Sequence, residues 1–403
     1  MEMFTRRSLI SWLSLGTGAR WRFLVCDEML PNPKMGAGYP RARRLLSALA
    51  ESGCEITVLP VLGVPTCNPS ASAENRIPAE VKVADLSYQG GDGVERLLRE
   101  RPGYFTDLII SRPTTMRELR PLLDEAPRLF KGIAVIYDAE AIFALREILE
   151  EELAGNTLTV AEKEQRVRTE VDLCRGVQRV ISVSEQEASI FRSHGYPTSV
   201  VGHAAIINDN NVSHEEWQNR CDVLFAGAIH GDGGSNYESV TWFLDTIWPE
   251  LARRLPQSRF IIAGLNHSKR LTEEPLPERV IVTKELEDLS PVYASARVFV
   301  APTRASAGIP VKIIEAAGRG VPIVTTSLLV GQLAWRTPDE IIAADTPDEF
   351  VESCVRLYED RVLWENQRRA ALQRVSKEYS RETFSQQLFE ALNVRPAERP
   401  ARA

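Results

Sequence analysis

The sequence predicts an α/β protein made of two Rossmann-like, parallel-sheet domains facing each other across a cleft. Three observations predict it. Short apolar runs alternate with helix-period stretches in both halves, the pattern of βαβ units, whose right-handed crossovers imply parallel sheets. A polar, Asn-rich stretch without periodicity, 207–218, separates the halves. The 403 residues also exceed what a single hydrophobic core usually holds. The expected organisation is an extension at 1–20, a first domain at 21–205, a linker at 206–217, a second domain at 218–375, and a bridging helix with a disordered tail at 376–403.

The first domain reads in order. Residues 21–26 form a strand, 27–39 a loop, and a helix opened by Pro40 runs to Gly53, before a second strand at 54–60. Gly36-Ala37-Gly38 suggests a dinucleotide fingerprint, but its third glycine falls on Arg41 and the loop is too long for that tight turn. A nicotinamide-dependent dehydrogenase is therefore disfavoured. Residues 61–80 are loop, 81–83 and 108–111 strands, and 94–101 and 116–130 helices. A strand at 132–137 delivers Asp138 and Glu140 to its C-terminal end, where open parallel sheets bind ligands. Residues 147–175 read as one long charged helix, and 180–185 as a strand running into a helix capped by Ser184. His203 marks the end of a last strand at 199–201.

The second domain opens with a strand at 222–227 and a Gly-rich loop at 227–235, able to bring backbone N–H groups close to a phosphate or sugar. His230 and Asn236 are candidates there, although a lone loop histidine is as readily explained by solvation. Val240, Phe243, Leu244, Ile247 and Leu251 make the core stripe of the next helix. Strands follow at 260–264 and 280–282, a short helix at 288–295, a last strand at 340–344, and helices from 347 to 392.

The chemistry concentrates in 298–326, a strand, loop, helix, turn and strand. The apolar run stops at Pro302, which has no ladder donor, and Pro310 is placed in the first turn of a helix over 308–320. The N-terminus of that helix suits a phosphate. Lys312 and Glu315, three apart, share a face. An ammonium beside the helix start neutralises a diphosphate, and a carboxylate one turn deeper accepts two sugar hydroxyls, so a nucleotide fits better than a bare phosphate. The same two residues also read as an ordinary exposed ion pair. The flanking strands and the Gly/Pro-framed loop favour the site. Arg304 adds a cation to the loop.

These residues, with 222–230 (DVLFAGAIH), 236–264 and 285–302, resemble the donor-binding region of GT-B glycosyltransferases, specifically the retaining, nucleotide-sugar-dependent family four, or glycosyl transferases group 1. The resemblance is dense over the second half and looser over the first. It implies a GT-B fold whose C-terminal helices cross back to the first domain. It also implies a hexosyltransferase of polysaccharide or glycoconjugate synthesis, moving sugar from a nucleotide-sugar donor to a glycan or lipid-linked acceptor. No cofactor is implied, and no metal, there being no Asp-x-Asp. The family's Glu-seven-residues-Glu pattern places its second carboxylate at Glu315, while its first falls on Ala307. Donor contacts carried over are Glu315, Lys312, Gly308, Ile309, Ala307, His230 and Asn236. Pro310 stands where relatives can carry a lysine, leaving Lys312 and Arg304 to stabilise the leaving diphosphate. On the acceptor side the resemblance points to Gly36, Gly38 and Arg41, against an ordinary loop, and to Asp138 and Arg146. The family's histidine is replaced by Phe143, and Glu140 is the substitute carboxylate, its alternative being a helix-cap neighbour or surface charge. Two rival readings remain: a GT-B sugar-nucleotide epimerase or hydrolase, and a non-catalytic module of a polysaccharide-assembly complex.

Composition narrows the partners. A net charge of −7 argues against nucleic acid. Six scattered cysteines without zinc spacing indicate a reducing, cytoplasmic compartment. No apolar run reaches the ~18 residues of a spanning helix. Arg6-Arg7 followed by Leu9, Trp12 and Leu13 offers three readings: a twin-arginine export signal, an extension, or a segment resting on the inner face of a membrane. The short apolar part and the strand starting at Trp21 favour the extension.

Overall fold

Each apolar run becomes a strand, and the strands assemble into two parallel sheets. The computed structural model describes residues 21–31, 38–62, 77–84, 88–207 and 216–394. The stretch 1–20, Gly36, most of the expected linker and the Pro/Arg-rich end beyond Val394 lie outside the described residues. The first sheet contains β1 (Arg22–Asp27), β2 (Glu55–Pro60), β3 (Val81–Val83), β4 (Asp107–Ser111), β5 (Ala134–Asp138), β6 (Arg179–Ser182) and β7 (Thr198–Val200), in the order β3-β2-β1-β4-β5-β6-β7. The second contains β8 (Asp222–Ala226), β9 (Phe260–Ala263), β10 (Val280–Val282), β11 (Ala296–Ala301), β12 (Ile323–Thr325) and β13 (Ile342–Ala343), in the order β10-β9-β8-β11-β12-β13. The chain winds outward from β1 and then returns to its other side as β4, and β8 and β11 repeat that reversal. Each sheet thus has a switch point, where a crevice opens at the strands' C-terminal ends.

Helices cover both faces. In the first domain these are α1 (Gly38–Glu51), α2 (Gly90–Glu100), α3 (Pro113–Glu125), α4 (Phe143–Leu153), α5 (Val160–Val171) and α6 (Glu185–Ser193). The second domain has α7 (Ser235–Trp242), continued through one π turn at Phe243–Ile247, then α8 (Val311–Gly318), α9 (Pro347–Glu359) and α10 (Arg361–Glu378). The last helix, α11 (Arg381–Leu392), buries Phe384, Leu388 and Leu392 against Leu45, Ile56 and Ile109 of the first domain. The chain therefore does cross back, with Arg44 donating to Ser385 Oγ at 2.8 Å. Val394, expected in the disordered tail, is buried in the same cluster. Among the described residues no helix is long and apolar enough to cross a membrane.

Several boundaries move for identifiable reasons. The long helix expected over 147–175 is two, α4 and α5: Gly155 takes a positive φ of 88°, and Thr159 with Glu162 forms a capping box that starts the chain afresh. The helix expected from 116 begins at Pro113, a residue suited to the first turn, and ends before Pro127. α1 begins at Gly38, ahead of Pro40. Pro310 is the N-cap of α8 rather than a first-turn residue, its ψ of 77° lying outside the helical range.

Candidate active site

A cleft of about 790 Å³ opens at the switch point of the second sheet, with Pro40, Arg146 and Glu150 of the first domain on its other side. α8 supplies one wall. Ile313, Ile314 and Ala317 anchor it in the core, which turns Lys312 and Glu315 toward the opening. Lys312 Nζ donates to Asn236 Oδ1, and to Thr303 Oγ1 at 3.3 Å. Asn236 is held in turn by its amide's bond to Ala228 O at 2.8 Å. Among the described residues no carboxylate pairs with Lys312, and burial pulls its ammonium down to about 8. The loop beneath is tight: a Cβ on Gly264, whose φ is 121°, would lie 2.5 Å from Gly227 O.

Glu315 is a third exposed, and its carboxyl is raised by burial, with Arg319 opposing. Its Oε1 lies 3.9 Å from Nε2 of His203, a ring only 3% exposed. That distance suits an ion pair only with a protonated ring. Burial, helped by the charge of Arg41, pushes His203 down to about 4, so the contact is between a carboxyl group and a neutral imidazole. His203, read from the sequence only as a strand end, thus stands directly behind Glu315.

Ala307, Ile309, His230 and Glu315 line the same cleft, and Arg146 enters it from α4, 3.5 Å from Glu150. Gly308 does not offer its N–H to the cleft. With φ at 78°, it donates to Glu187 Oε1 at 2.5 Å, and a Cβ there would lie 3.1 Å from Ala141 Cβ. Glu187, 2% exposed, also accepts from Ile142 N–H at 3.0 Å, so one carboxylate joins the start of α4 to the loop before α8. Burial raises it to about 7 despite those two donors.

Three other expectations change. Arg304 is turned away from Lys312, bonding Glu238 and lying 4.6 Å over the Trp242 ring, because its loop packs against α7. Arg41 and Asp138 are buried beneath the cleft, 2% and 1% exposed, in a two-pronged pair at 2.7 and 2.9 Å. Arg41 also donates to the carbonyls of Val201 and Gly202, at 3.1 Å each. That pair braces α1, β5 and the segment after β7. Gly38 sits at the start of α1, where a Cβ would meet Glu140 Oε2 at 2.6 Å.

Glu140 belongs to a network the sequence reading missed. Its carboxylate lies 3.1 Å from Arg112 Nε, which also lies 3.3 Å from Asp27 Oδ1, while Arg112 Nη1 is 3.5 Å from Glu28 Oε2. The guanidinium stands 3.9 Å over the Tyr39 ring. Burial raises Asp27 to about 8 and also raises Glu140, Arg112 opposing in both. Glu140 and Arg112 both hold positive φ, 55° and 76°, a strain on the order of 1 kcal/mol or more each. Asp27 ends β1 and Arg112 follows β4, the two strands flanking the switch point, so strand order would have flagged them.

Two parallel-sheet domains, a cleft between their strand ends and a final helix returning to the first domain define the GT-B class. Residues 220–360 match the family Glycosyl transferases group 1. Sucrose-phosphate synthase from Thermosynechococcus elongatus superposes with a TM-score of 0.66 at 14% identity, over 93% of this chain and 98% of that one. HepE from Anabaena, in complex with UDP and glucose, gives 0.65 at 16% identity, over 93% and 100%. At such identities the likeness shows the fold. No curated protein matches the chain in sequence.

Proposed function

We propose that this protein is a retaining glycosyltransferase, moving a sugar from a nucleotide-sugar donor to an acceptor hydroxyl on a glycan or a lipid-linked molecule. One observation carries the reading: Lys312 and Glu315 face a single cleft from one turn of α8, and among the described residues neither is in a direct ion pair with a Lys, Arg, Asp or Glu side chain. Lys312, steadied by Asn236 and Thr303, meets the diphosphate, and that anion offsets the burial that lowers its pKa, so the ammonium is held more firmly. Glu315, backed by His203, accepts two sugar hydroxyl bonds of the nucleotide. The bound UDP and glucose of HepE make uridine diphosphate the first nucleotide to try.

Retention follows if the leaving diphosphate itself takes the acceptor's proton on the face it departs from. No protein nucleophile is then required, and catalysis rests on positioning and charge stabilisation. Lys312 supplies that charge, with Arg146 reaching the same cleft from the opposite domain. No metal takes part in this scheme, so a chelator leaves turnover unchanged.

Slow donor hydrolysis tests the reading without an acceptor. UDP-, GDP-, dTDP- and ADP-glucose are followed by proton NMR, and the anomer of glucose released first is recorded. Release of the donor's own anomer, lost in Lys312→Met, is the expected result. Release of the opposite anomer, or no turnover with any of the four, overturns it.

A further inference from the structure

A second cavity, about 520 Å³, lies beside the cleft, between α4, α5 and α6 of the first domain and the Ser327–Leu333 helix of the second. Its lining differs in kind. Leu145, Leu149, Val167, Ile190 and Leu328 are all partly exposed to it, beside Glu152, Lys163, Glu164 and Glu187. Lys163 is bonded to Glu152, and Glu187 is taken up by two backbone N–H groups. α4 divides the two cavities by its helical period: Arg146 and Glu150 turn to the cleft, and Leu145 and Leu149 turn to the groove. Ser306 lines both. At that junction the groove becomes polar. Gln332 donates to Ser306 O at 3.1 Å, its own Oε1 is buried without a hydrogen-bond partner, and Glu187 stands alongside.

We propose that this groove holds the apolar part of the acceptor, so that the molecule receiving the sugar is an amphiphile. The inference rests on the glycosyltransferase reading and names the acceptor class for it. A chain lying along Leu149, Ile190 and Leu328 brings its polar end to Ser306 and Gln332, next to Ala307 on the cleft wall. The groove is thus continuous with the place where a hydroxyl must meet the donor. A wholly polar glycan gains nothing from such a lining, and a partner protein's surface would not need the polar junction. Because the walls come from both domains, the occupant also favours their approach.

The test uses the full chain and calorimetric titration with methyl, hexyl and octyl β-D-glucoside below their micellar concentrations, with a UDP titration of the same sample. Each methylene buried in the groove tightens binding roughly fourfold, so octyl glucoside is expected to bind about fifteenfold tighter than hexyl glucoside. Leu149→Asn and Leu328→Asn, one on each domain, are each expected to flatten that dependence. Equal affinities for the hexyl and octyl compounds overturn the proposal, and so does a dependence that survives both substitutions. The UDP titration separates the claims: UDP binding without octyl glucoside binding defeats the groove alone. Octyl glucoside binding without binding of UDP or the other diphosphates defeats the donor site.

Discussion

Replacing Asp138 by alanine removes one half of an ion pair whose partners are 2% and 1% exposed. The guanidinium of Arg41 would keep its bonds to the carbonyls of Val201 and Gly202 but lose both carboxylate contacts. An uncompensated charge left in such a place typically costs about 3–5 kcal/mol, a large share of the 5–15 kcal/mol by which domains are usually stable. For a domain of about 200 residues that is a fall in melting temperature of roughly 6–20 °C, readable by circular dichroism. The paired substitution Arg41→Met with Asp138→Leu, which leaves no charge stranded, is expected to recover most of the loss. UDP affinity measured on folded protein stays within twofold of wild type throughout, because neither side chain lines the cleft. A stable Asp138→Ala protein with weakened nucleotide or acceptor binding would refute this reasoning and return both residues to the cleft, where the sequence resemblance put them.

Three further outcomes follow from the same geometry. Lys312 titrates near 8 and the diphosphate prefers the ammonium, so UDP affinity is expected to be level around pH 7 and to fall toward tenfold per unit above 8; affinity rising with pH above 8 would contradict it. Glu187 titrates near 7 when folded and near 4.3 when unfolded, so the native state holds the extra proton between those values and stability falls across that window by up to about 3 kcal/mol. Chemical denaturation of Glu187→Gln should lack that slope, and an unchanged slope would assign it elsewhere. Arg304→Ala should cost at most about 1 kcal/mol of stability and leave UDP affinity unaltered, since it and its partner Glu238 are each about a third exposed and Lys312 stands apart; a severalfold loss of UDP affinity would put Arg304 back beside the phosphate.

What was legible in the sequence was local. The 298–326 unit announced itself because two short β-branched apolar runs, each against a Pro, bracket a helix-period stretch, and Lys312 and Glu315 share a face by helical period alone. The break between α4 and α5 was also legible, in Gly155 and the Thr159–Glu162 box, but the continuous charge of 147–175 masked it. What could not be read was long-range pairing. Glu187 meets Gly308 across 121 residues, and Arg41 meets Asp138 across 97. Nothing in the neighbourhood of His203 signals that it will back Glu315, because that contact exists only once the segment after β7 passes α8. The first-domain candidates fared worse for the same reason. A carboxylate or guanidinium at a strand end can face the cleft or brace the elements beneath it, and tertiary packing decides which.

The central claim, a nucleotide-diphosphate site built on Lys312 and Glu315, is tested most directly by calorimetric titration of UDP, GDP, dTDP and ADP into wild type and Glu315→Ala, in the presence of a chelator. One diphosphate binding the wild type, with affinity lowered several-fold by the substitution, is the expected result, and the preferred base then narrows the sugar donors. Binding of none, or binding indifferent to Glu315, would contradict the site and leave the non-catalytic reading ahead.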